Sequence, residues 1–496
     1  MTTFSHVGRK PLALLGLGLL GLAGCQTGID APMTPSAGNA SFARYIAVGN
    51  SLTAGYEDGG LYLDGQQNSY PNILAQQFAK AGGGATFRQP LFSTAQANGS
   101  GYLRLAGFTA AGSPITQSVT TSLAVRGGTA AAPLYTKYTD AIDNFGVPGI
   151  KLADVQTVGY GSTQGNPYFE RITPDASPLQ TYFQRIKAEA ATATFFSMWL
   201  GNNDVLGYAT SGGALGALSA TYAITRTDTF NLKAVRMINV LTANNSVATG
   251  GPKGVVSNIP DVGGLPFFNT VGPSFRATLA AASVPTAAPF VYTTGTLAPL
   301  QANTRVAGTL ADIRTPAGGT LLLTLTAAPY AALYGQPTGK YWRDFYAQLK
   351  PALPAAIPTL GVFLATLQVD TTKAFGQSTG NPFPSTLVLD GTEQTAVTTA
   401  TTAFNNSLQT AALNKGLAFF DANAYFRGIA ITGIASNGVA NSASFITGNL
   451  FSLDGVHPTP RGYALVANQL IMAINARYGA TVPQVNPNDY RGVLFP

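Results

Sequence analysis

The residues best suited to chemistry are a histidine near the end of the chain and a serine near its beginning. The chain has two histidines, and His6 lies in a segment that we expect to be cleaved. His457 would then be the only imidazole of the mature protein, and imidazole is the usual general base near neutral pH. Asp454 precedes it by three residues, with Gly455 between them. This spacing lets a carboxylate orient one ring nitrogen while the other nitrogen faces a hydroxyl.

The hydroxyl is expected from Ser51. A short apolar run, Tyr45 to Val48, predicts a buried strand that Gly49 ends. A serine placed directly after a strand can present its hydroxyl in a cleft, as the nucleophiles of α/β hydrolases do. On this segment alone, a serine that caps a helix is an equally good interpretation. For the histidine, the alternative is a surface loop that caps the last helix, and the Asp-x-x-His-Pro spacing makes that interpretation the weaker one.

Acyl transfer also requires hydrogen-bond donors for the developing oxyanion. Gly149 follows the second predicted strand and offers an N–H that no side chain obstructs. Asn203 follows a later strand and offers a side-chain amide, and Ser51 has its own N–H. Taken singly, Gly149 can be a turn residue and Asn203 a strand-end cap. Together with His457 they lie at or just beyond the predicted carboxyl ends of strands, where open α/β sheets bind ligands.

The elements that must position these residues alternate between strand and helix. Apolar runs predict strands near 45–48, 141–149, 194–200, 254–259 and 417–421. Helical spacing predicts helices over 69–81, 179–191, 227–241, 395–414 and 460–478. Lys151 to Val155 can start a further helix. Strands alternating with helices are typical of a parallel, doubly wound sheet, so the sequence predicts an α/β fold.

Two segments interrupt this alternation. Residues 82–138 are rich in Gly, Thr and Ser, and they predict loops and short strands. Residues 261–382 are rich in Pro, Ala and Thr, with a short strand expected at 321–325 and a helix at 341–349. No linker bounds the second segment, so we interpret both as insertions in one domain and expect them to shape the acyl pocket.

The N-terminal residues are typical of an export signal. Arg9 and Lys10 precede the apolar run 12–23, which is shorter than the ~20 residues that span a bilayer. Leu22-Ala23-Gly24-Cys25 follows and contains the only cysteine of the chain. The alternative, an ordinary signal peptide and an incidental core cysteine, is weaker because the cysteine directly follows small residues. A single cysteine also excludes a disulfide within the chain.

This motif resembles a bacterial lipobox, which implies a lipoprotein signal peptide over residues 1–24 and lipidation of Cys25. Residues 25–40 are rich in Pro, Gly, Ser and Thr and predict a flexible tether. The residue after the cysteine is Gln26 and not Asp. By resemblance to lipoprotein sorting in Gram-negative bacteria, this favours the outer membrane, so we expect an extracytoplasmic, membrane-anchored lipoprotein.

Composition argues against several other functions. The net charge of +7 is spread along the chain without a basic stripe, so no nucleic-acid partner is expected. One mature histidine and no cysteine cluster cannot build the usual zinc sites, so no metal is expected. No phosphate-binding glycine motif opens a helix, and no cofactor is expected.

Four segments, in order, resemble the motifs of the SGNH/GDSL hydrolase family of esterases and lipases. They are Gly49-Asn50-Ser51-Leu52, Asn144-Phe145-Gly146-Val147-Pro148-Gly149, Gly201-Asn202-Asn203-Asp204 and Asp454-Gly455-Val456-His457-Pro458. The resemblance implies Ser51 as nucleophile, Asp454 and His457 as its partners, and Ser51, Gly149 and Asn203 as the oxyanion hole. The sequence departs from the family's commonest motif at Asn50, where that motif has Asp. This position is not a catalytic group in the family, so the change affects fine positioning and not the reaction. The two insertions resemble nothing that we can name.

The resemblance also implies a fold. The Gly-x-Ser-x-Gly elbow of α/β hydrolases is absent, because Thr53 stands where its last glycine would be. We therefore expect the flavodoxin-like, three-layer α/β/α fold of SGNH hydrolases, over residues 41–480 with the two large insertions, followed by a C-terminal tail at 481–496.

The resulting functional expectation is a lipid-anchored serine esterase or lipase that hydrolyses carboxylic esters through an acyl-enzyme. Its substrate would be a small-molecule, lipid or acylated-glycan ester, and its membrane contact would be the N-terminal lipid. The competing expectation is a surface-tethered lipoprotein that binds a ligand on a hydrolase-like scaffold, because fold alone does not fix function. The oligomeric state stays open.

Overall fold

Five parallel strands form the central sheet: β1 Tyr45–Gly49, β2 Asn144–Gly146, β3 Phe195–Trp199, β4 Lys253–Ser257 and β5 Ala418–Phe420. The structure is a computed structural model that describes residues 34–109, 114–130, 132–244, 251–297 and 303–496. The strands lie in the order β2-β1-β3-β4-β5, and every neighbouring pair is parallel. All five runs that we predicted as strands therefore belong to one sheet.

The sheet is buried on both faces. Every residue of β1 and of β3 is buried, as expected for parallel strands covered on both sides. Along β1, Ile46 and Val48 contribute to one apolar cluster, whereas Tyr45 and Ala47 contribute to another. Alternate side chains of one strand thus feed two cores, as the two-residue period of a strand dictates.

Helices cover both faces: α1 Tyr70–Lys80, α2 Tyr182–Ala190, α3 Asn203–Thr210, α4 Thr227–Leu241, α5 Gly391–Asn414 and α6 Pro460–Tyr478. Helices α1 and α6 pack in the cluster that contains Tyr45, and α2, α4 and α5 pack in the cluster that contains Ile46. The α/β class predicted from the sequence is confirmed. The bounds of the predicted long helices agree with the structure to within a few residues.

The first insertion consists of short antiparallel pairs, as predicted. Tyr102–Phe108 pairs with Pro114–Val119, and Val125–Gly128 pairs with Pro133–Tyr135. The strand Pro114–Val119 is exposed along most of its length. This segment therefore adds surface hairpins beside the domain and contributes little to its core.

The second insertion contains more structure than we predicted. It has its own apolar cluster, centred on aromatic residues such as Phe290, Trp342 and Phe363. Its helices are Pro266–Asn269, Val271–Ala281, Ala328–Ala331, Lys340–Leu349 and Leu360–Thr366, and its hairpin joins Pro289–Thr294 to Thr304–Thr309. The helix expected at 341–349 is confirmed, whereas the strand expected at 321–325 is only Leu322–Leu323, paired with Val388–Leu389.

The remaining elements are short. The helices are Ser51–Ala54, Leu63–Gln67, Pro167–Ile172 and Ala422–Thr432, and the last hairpin pairs Ile434–Ser436 with Val439–Asn441. The helix start expected at Lys151 is one turn of 3-10 helix, Leu152–Gln156. The other 3-10 turns are Thr94–Gln96, Ala220–Tyr222, Val262–Gly264, Leu310–Asp312, Leu325–Ala327, Lys350–Ala352, Ser385–Leu387 and Pro487–Asp489.

Two terminal segments are more ordered than we expected. Residues 36–40, assigned to the tether, lie at the end of α6: the Asn39 N–H donates to the Tyr478 carbonyl at 2.8 Å, and the Thr481 N–H donates to the Ser36 carbonyl at 2.9 Å. The segment 481–496, assigned as a tail, packs back along α6 through the buried Val482. Residues 35–496 form one compact unit.

The signal peptide, Cys25 and the first part of the tether lie outside the described residues. Among the residues that the structure does describe, no helix has both the length and the apolar character required to cross a membrane.

Candidate active site

Three side chains from opposite ends of the chain form a hydrogen-bonded relay. His457 Nε2 lies 2.8 Å from Ser51 Oγ, and His457 Nδ1 lies 2.8 Å from Asp454 Oδ2. Because an ionised carboxylate can only accept, Nδ1 carries the proton and Nε2 is free to accept from the serine hydroxyl. The imidazole is thus held in the tautomer that can take a proton from Ser51.

The carboxylate of Asp454 is held by many donors. Its Oδ1 accepts the backbone N–H groups of Val456 at 2.9 Å and His457 at 2.8 Å, and the Ser452 hydroxyl at 3.2 Å. Its Oδ2 also accepts the Gly59 N–H at 3.0 Å. Burial alone would raise the pKa of Asp454, but the charge and hydrogen bonds of His457 and the N–H of Val456 outweigh burial and hold the pKa at about 2. Asp454 is therefore ionised at any physiological pH.

Strand β1 delivers Ser51 to this relay. The strand ends at Gly49, and a four-residue helix, Ser51–Ala54, follows at once. Its N-cap is Asn50, whose side-chain oxygen accepts the Leu52 N–H at 3.1 Å. The interpretation of Ser51 as the cap is therefore wrong, and Ser51 is the first helical residue with its hydroxyl turned to His457. An oxygen at position 50 is enough for the cap, which explains why Asn can stand there in place of Asp.

The loop before α6 delivers His457. Thr459 caps α6 by accepting the Gly462 N–H at 3.2 Å, with Pro460 in the first turn, as predicted. The Ser452 N–H donates to the His457 carbonyl at 2.8 Å and closes the loop. Gly455 has φ +70°, a conformation that favours glycine, and its carbonyl accepts the Phe267 N–H at 3.0 Å. The second insertion thus contacts the loop that carries the histidine.

The predicted oxyanion donors lie at neighbouring strand ends. Asn203 is the first residue of α3, directly after β3, and its side-chain amide donates to the Ile150 carbonyl at 2.9 Å. Ile150 follows Gly149, so this bond ties the Gly149 turn to the end of β3. Gly149 has φ +81°. Among the described residues, no acceptor takes the N–H of Ser51 or of Gly149.

Of the predicted site residues, three line the same cavity and Gly149 does not. Ser51, Asn203 and His457 line one cavity together, whereas Gly149 is not among the described residues that line it. The strand order reverses at β1, because the chain passes from β1 to β2 on one side and then returns to β3 on the other. Such a reversal creates the crevice in which ligands bind in these sheets. Ser51 and Asn203 follow the two strands that border this crevice.

Asp204, beside Asn203, acts as an anchor. Its carboxylate accepts the N–H groups of Leu152 at 2.7 Å and Ala153 at 3.2 Å, in the turn that follows Gly149. The side chain is fully buried, and burial raises its pKa to about 6. It therefore fixes the β2 loop against α3 and does not face the relay.

Sequence analysis missed the residues that hold the Asp454 loop from the Ser51 side. The Tyr56 ring packs on the His457 ring with 4.7 Å between centroids. The Asp58 carboxylate accepts the Leu453 N–H at 2.9 Å, and the Asp58 N–H donates to the Ser452 hydroxyl at 2.9 Å. A turn with acidic and glycine residues soon after Ser51 was visible in the sequence, but nothing there indicated a partner about 400 residues away.

A buried ion pair supports this turn from the C-terminal segment. Glu57 is completely buried, and its Oε1 lies 2.6 Å from Arg491 Nη2 and 2.6 Å from the Tyr62 hydroxyl. Arg491 also pairs with Asp64, at the surface. Burial raises the pKa of Glu57 to about 8, against the opposing charge of Arg491. The segment that we assigned as a tail thus places a cation against a buried carboxyl group next to the active-site turn.

Replacing Arg491 should therefore cost stability in a pH-dependent manner. Well below pH 8 Glu57 is protonated in both proteins, but Arg491→Met removes the charge that lowers the pKa of Glu57, so at higher pH only the parent gains stability from the ionised pair. We expect the loss in free energy of unfolding to be about 1 kcal/mol larger at pH 9 than at pH 6. Urea unfolding at the two pH values measures this difference. Arg226→Met, which removes a pair on the surface, serves as control and should change little at either pH. An equal loss at both pH values for Arg491→Met would contradict the assignment.

Two cavities meet at His457. A narrow one, of about 40 Å³, is lined by Ser51 and mostly apolar residues, and a wide cleft, of about 770 Å³, shares His457 with it. The second insertion lines both, through Val262 in the narrow cavity and Tyr330 in the cleft. None of the described residues of 82–138 lines either one, so our expectation that both insertions shape the pocket is wrong for the first insertion.

Fold and site together describe an α/β protein with a Ser-His-Asp relay at the crevice of a five-stranded parallel sheet. Comparison with family models, with curated proteins and with solved structures gives no match for this chain. Within the described residues, no group of three or more His, Cys, Asp or Glu side chains could hold a metal ion.

Proposed function

We propose that this protein is a serine hydrolase that cleaves carboxylic esters through an acyl-enzyme. The observation that carries the proposal is the relay Ser51–His457–Asp454, with both hydrogen bonds at 2.8 Å. A nucleophile, a base within reach of it and a third group that orients the base are the signature of an activated hydroxyl. A ligand-binding protein has no need of this arrangement.

The reaction follows from the geometry. Ser51 Oγ attacks the ester carbonyl carbon while His457 Nε2 takes the hydroxyl proton, and Asp454 stabilises the imidazolium that forms. The N–H groups of Ser51 and Gly149 and the amide of Asn203 are the proposed donors to the oxyanion. His457 then returns the proton to the leaving alkoxide, which departs as the alcohol. Water, activated by the same base, cleaves the acyl-enzyme to the acid and restores Ser51.

We further propose that the chain is an SGNH/GDSL hydrolase with the three-layer fold of that family. The strand order β2-β1-β3-β4-β5 is the flavodoxin-like order of doubly wound sheets. The four motif segments all lie at carboxyl ends of strands or in the loop before α6. The strand order and the positions of the four motif segments support the assignment to this family.

A fluorophosphonate probe provides the direct test of the nucleophile. It should form a stable adduct with the purified protein, and peptide mass spectrometry should place the adduct on Ser51. Ser51→Ala should not react, whereas Ser69→Ala, which changes another buried serine, should label like the parent. Absence of labelling in a folded protein would favour the alternative, a tethered ligand-binding lipoprotein.

We also propose that Cys25 carries lipid and holds the enzyme at a membrane. Two or more acyl chains anchor stably, because each buried CH₂ contributes ~0.8 kcal/mol, whereas a single chain binds reversibly. Full-length protein should therefore sediment with membranes, and Cys25→Ser should shift to the soluble fraction. A variant that stays with the membranes as firmly as the parent would show that something else anchors it, and a soluble parent would show an ordinary cleaved signal.

A further inference from the structure

The narrow cavity has the properties of a pocket for a small apolar group. Apart from the reactive end, where Ser51, Asn203 and His457 lie, its walls are largely aliphatic and aromatic, with Val262, Leu265 and Phe426 among them. Its volume of about 40 Å³ is only about three times the ~10–15 Å³ that holds a single water. A chain of two to four carbons fits this space, and a long acyl chain does not.

The wide cleft has a different character. Its volume of about 770 Å³ lies in the range of sites that enclose whole small molecules. Aromatic rings line it, among them Tyr222, Tyr330 and Phe345, together with hydrogen-bonding groups such as Asp344 and Gln348. Flat ring faces beside carboxylate and amide groups suit a molecule that has both apolar faces and hydroxyls.

The chemistry decides which part of an ester enters which cavity. The acyl group becomes bonded to Ser51 Oγ, so it must occupy the cavity that Ser51 lines, which is the narrow one. The leaving oxygen receives its proton from His457 Nε2. His457 lines both cavities, so with the acyl group in the narrow one the alcohol leaves into the wide cleft, which Ser51 does not line.

We propose that the substrates are esters of a short acyl group, of two to four carbons, with a bulky alcohol that bears rings and hydroxyls. This inference rests on the proposed hydrolase function. It identifies the second insertion as the segment that selects the alcohol, since Tyr330, Asp344, Phe345 and Gln348 all belong to it. The narrow cavity selects the acyl group by length.

Acyl length is tested with 4-nitrophenyl esters from acetate to palmitate. The value of kcat/KM should be highest between acetate and butyrate and at least ~100-fold lower for laurate, since one misfitting methylene already costs ~10-fold or more. Phe426→Ala should shift the optimum toward longer chains by enlarging the cavity. Phe426→Leu, a milder change, should shift it in the same direction and replaces the alanine variant if that one does not fold.

The alcohol side is tested with Tyr330→Ala, on ethyl acetate and on glucose pentaacetate. Each variant is compared with the parent on the same ester, so the reactivity of the leaving group cancels. Tyr330→Ala should lower kcat/KM for glucose pentaacetate about 10-fold, by a much larger factor than for ethyl acetate, whose alcohol is too small to fill the cleft, and it should leave the acyl-length optimum where it is. Phe426→Ala should instead shift the acyl-length optimum and change kcat/KM for both acetates by the same factor, so each variant is a control for the other.

The possible failures are distinguishable. A protein that labels with fluorophosphonate but prefers laurate or palmitate would overturn the short-acyl assignment and leave the hydrolase function intact. Equal losses on both acetates in Tyr330→Ala would overturn the assignment of the cleft to the alcohol. A protein that neither labels nor turns over any ester would overturn the proposed function itself.

Discussion

Ser51→Ala is expected to lower kcat/KM for 4-nitrophenyl acetate by about 10⁶-fold, the scale of loss when a triad nucleophile is removed. The Ser51 hydroxyl has His457 Nε2 as its partner at 2.8 Å, so its removal takes away the attacking atom without breaking a bond that holds the fold. His457→Ala should cause a loss of similar size, because the hydroxyl then has no base. Initial rates at 4-nitrophenyl acetate concentrations below KM, with active-site titration of the parent, measure both effects.

The double variant makes this prediction sharper. If Ser51 and His457 act as one unit, the double variant should be no slower than either single variant within experimental error. Multiplying losses would instead mean that the two residues act independently, and a Ser51→Ala variant that hydrolyses the ester at the parental rate would refute Ser51 as nucleophile. Ser69→Ala, a buried serine whose hydroxyl bonds Gln89, should retain activity.

The sheet and the relay were predictable because their signals are local. A short, largely apolar run such as 195–199, lying between two predicted helices, favours a strand that is buried on both faces, and a polar residue just beyond its end then lies at the edge of the sheet. Each motif segment lies where an element begins or ends: β1 ends just before Ser51, α3 begins at Asn203, and α6 begins shortly after His457. The sequence therefore predicted which residues share an edge.

What the sequence could not predict depends on contacts between distant segments. The bonds of Asp58 and Gly59 to the 452–454 loop join residues about 400 positions apart, and no periodicity reports them. Arg491 lies in a polar C-terminal stretch, and only burial against Glu57 makes it structural. Most elements of the second insertion were missed because several of its helices have only four to seven residues, too few to show a helical period.

Asp454→Asn is expected to lower kcat about 10⁴-fold, the loss seen in the serine-protease template when the acid is replaced by its amide. The amide oxygen of Asn can keep the bonds that Oδ1 accepts from the N–H groups of Val456 and His457. Its NH₂ group then takes the place of Oδ2, opposite His457 Nδ1 and the Gly59 N–H. The NH₂ group of Asn, which is a donor, then faces two other donors, the N–H of His457 Nδ1 and the Gly59 N–H.

The imidazole can relieve this conflict only by changing tautomer. With Nδ1 accepting from the new amide, Nε2 carries the proton and cannot accept from the Ser51 hydroxyl, so the base is lost while the loop keeps its shape. The fold should also become less sensitive to acid. The pKa of Asp454 is held at about 2, so its contribution to stability is present above pH 4 and is lost as the pH falls through 2.

Steady-state kinetics and unfolding between pH 7 and pH 2 measure the two effects in the same protein. Asp140→Asn, at an exposed position, is the control and should alter neither the rate nor the acid sensitivity by much. An Asp454→Asn variant that keeps most of its activity would mean that another acceptor orients His457 Nδ1. Among the described residues, Asp454 is the only one with an oxygen that bonds that nitrogen. We therefore expect the loss to be large.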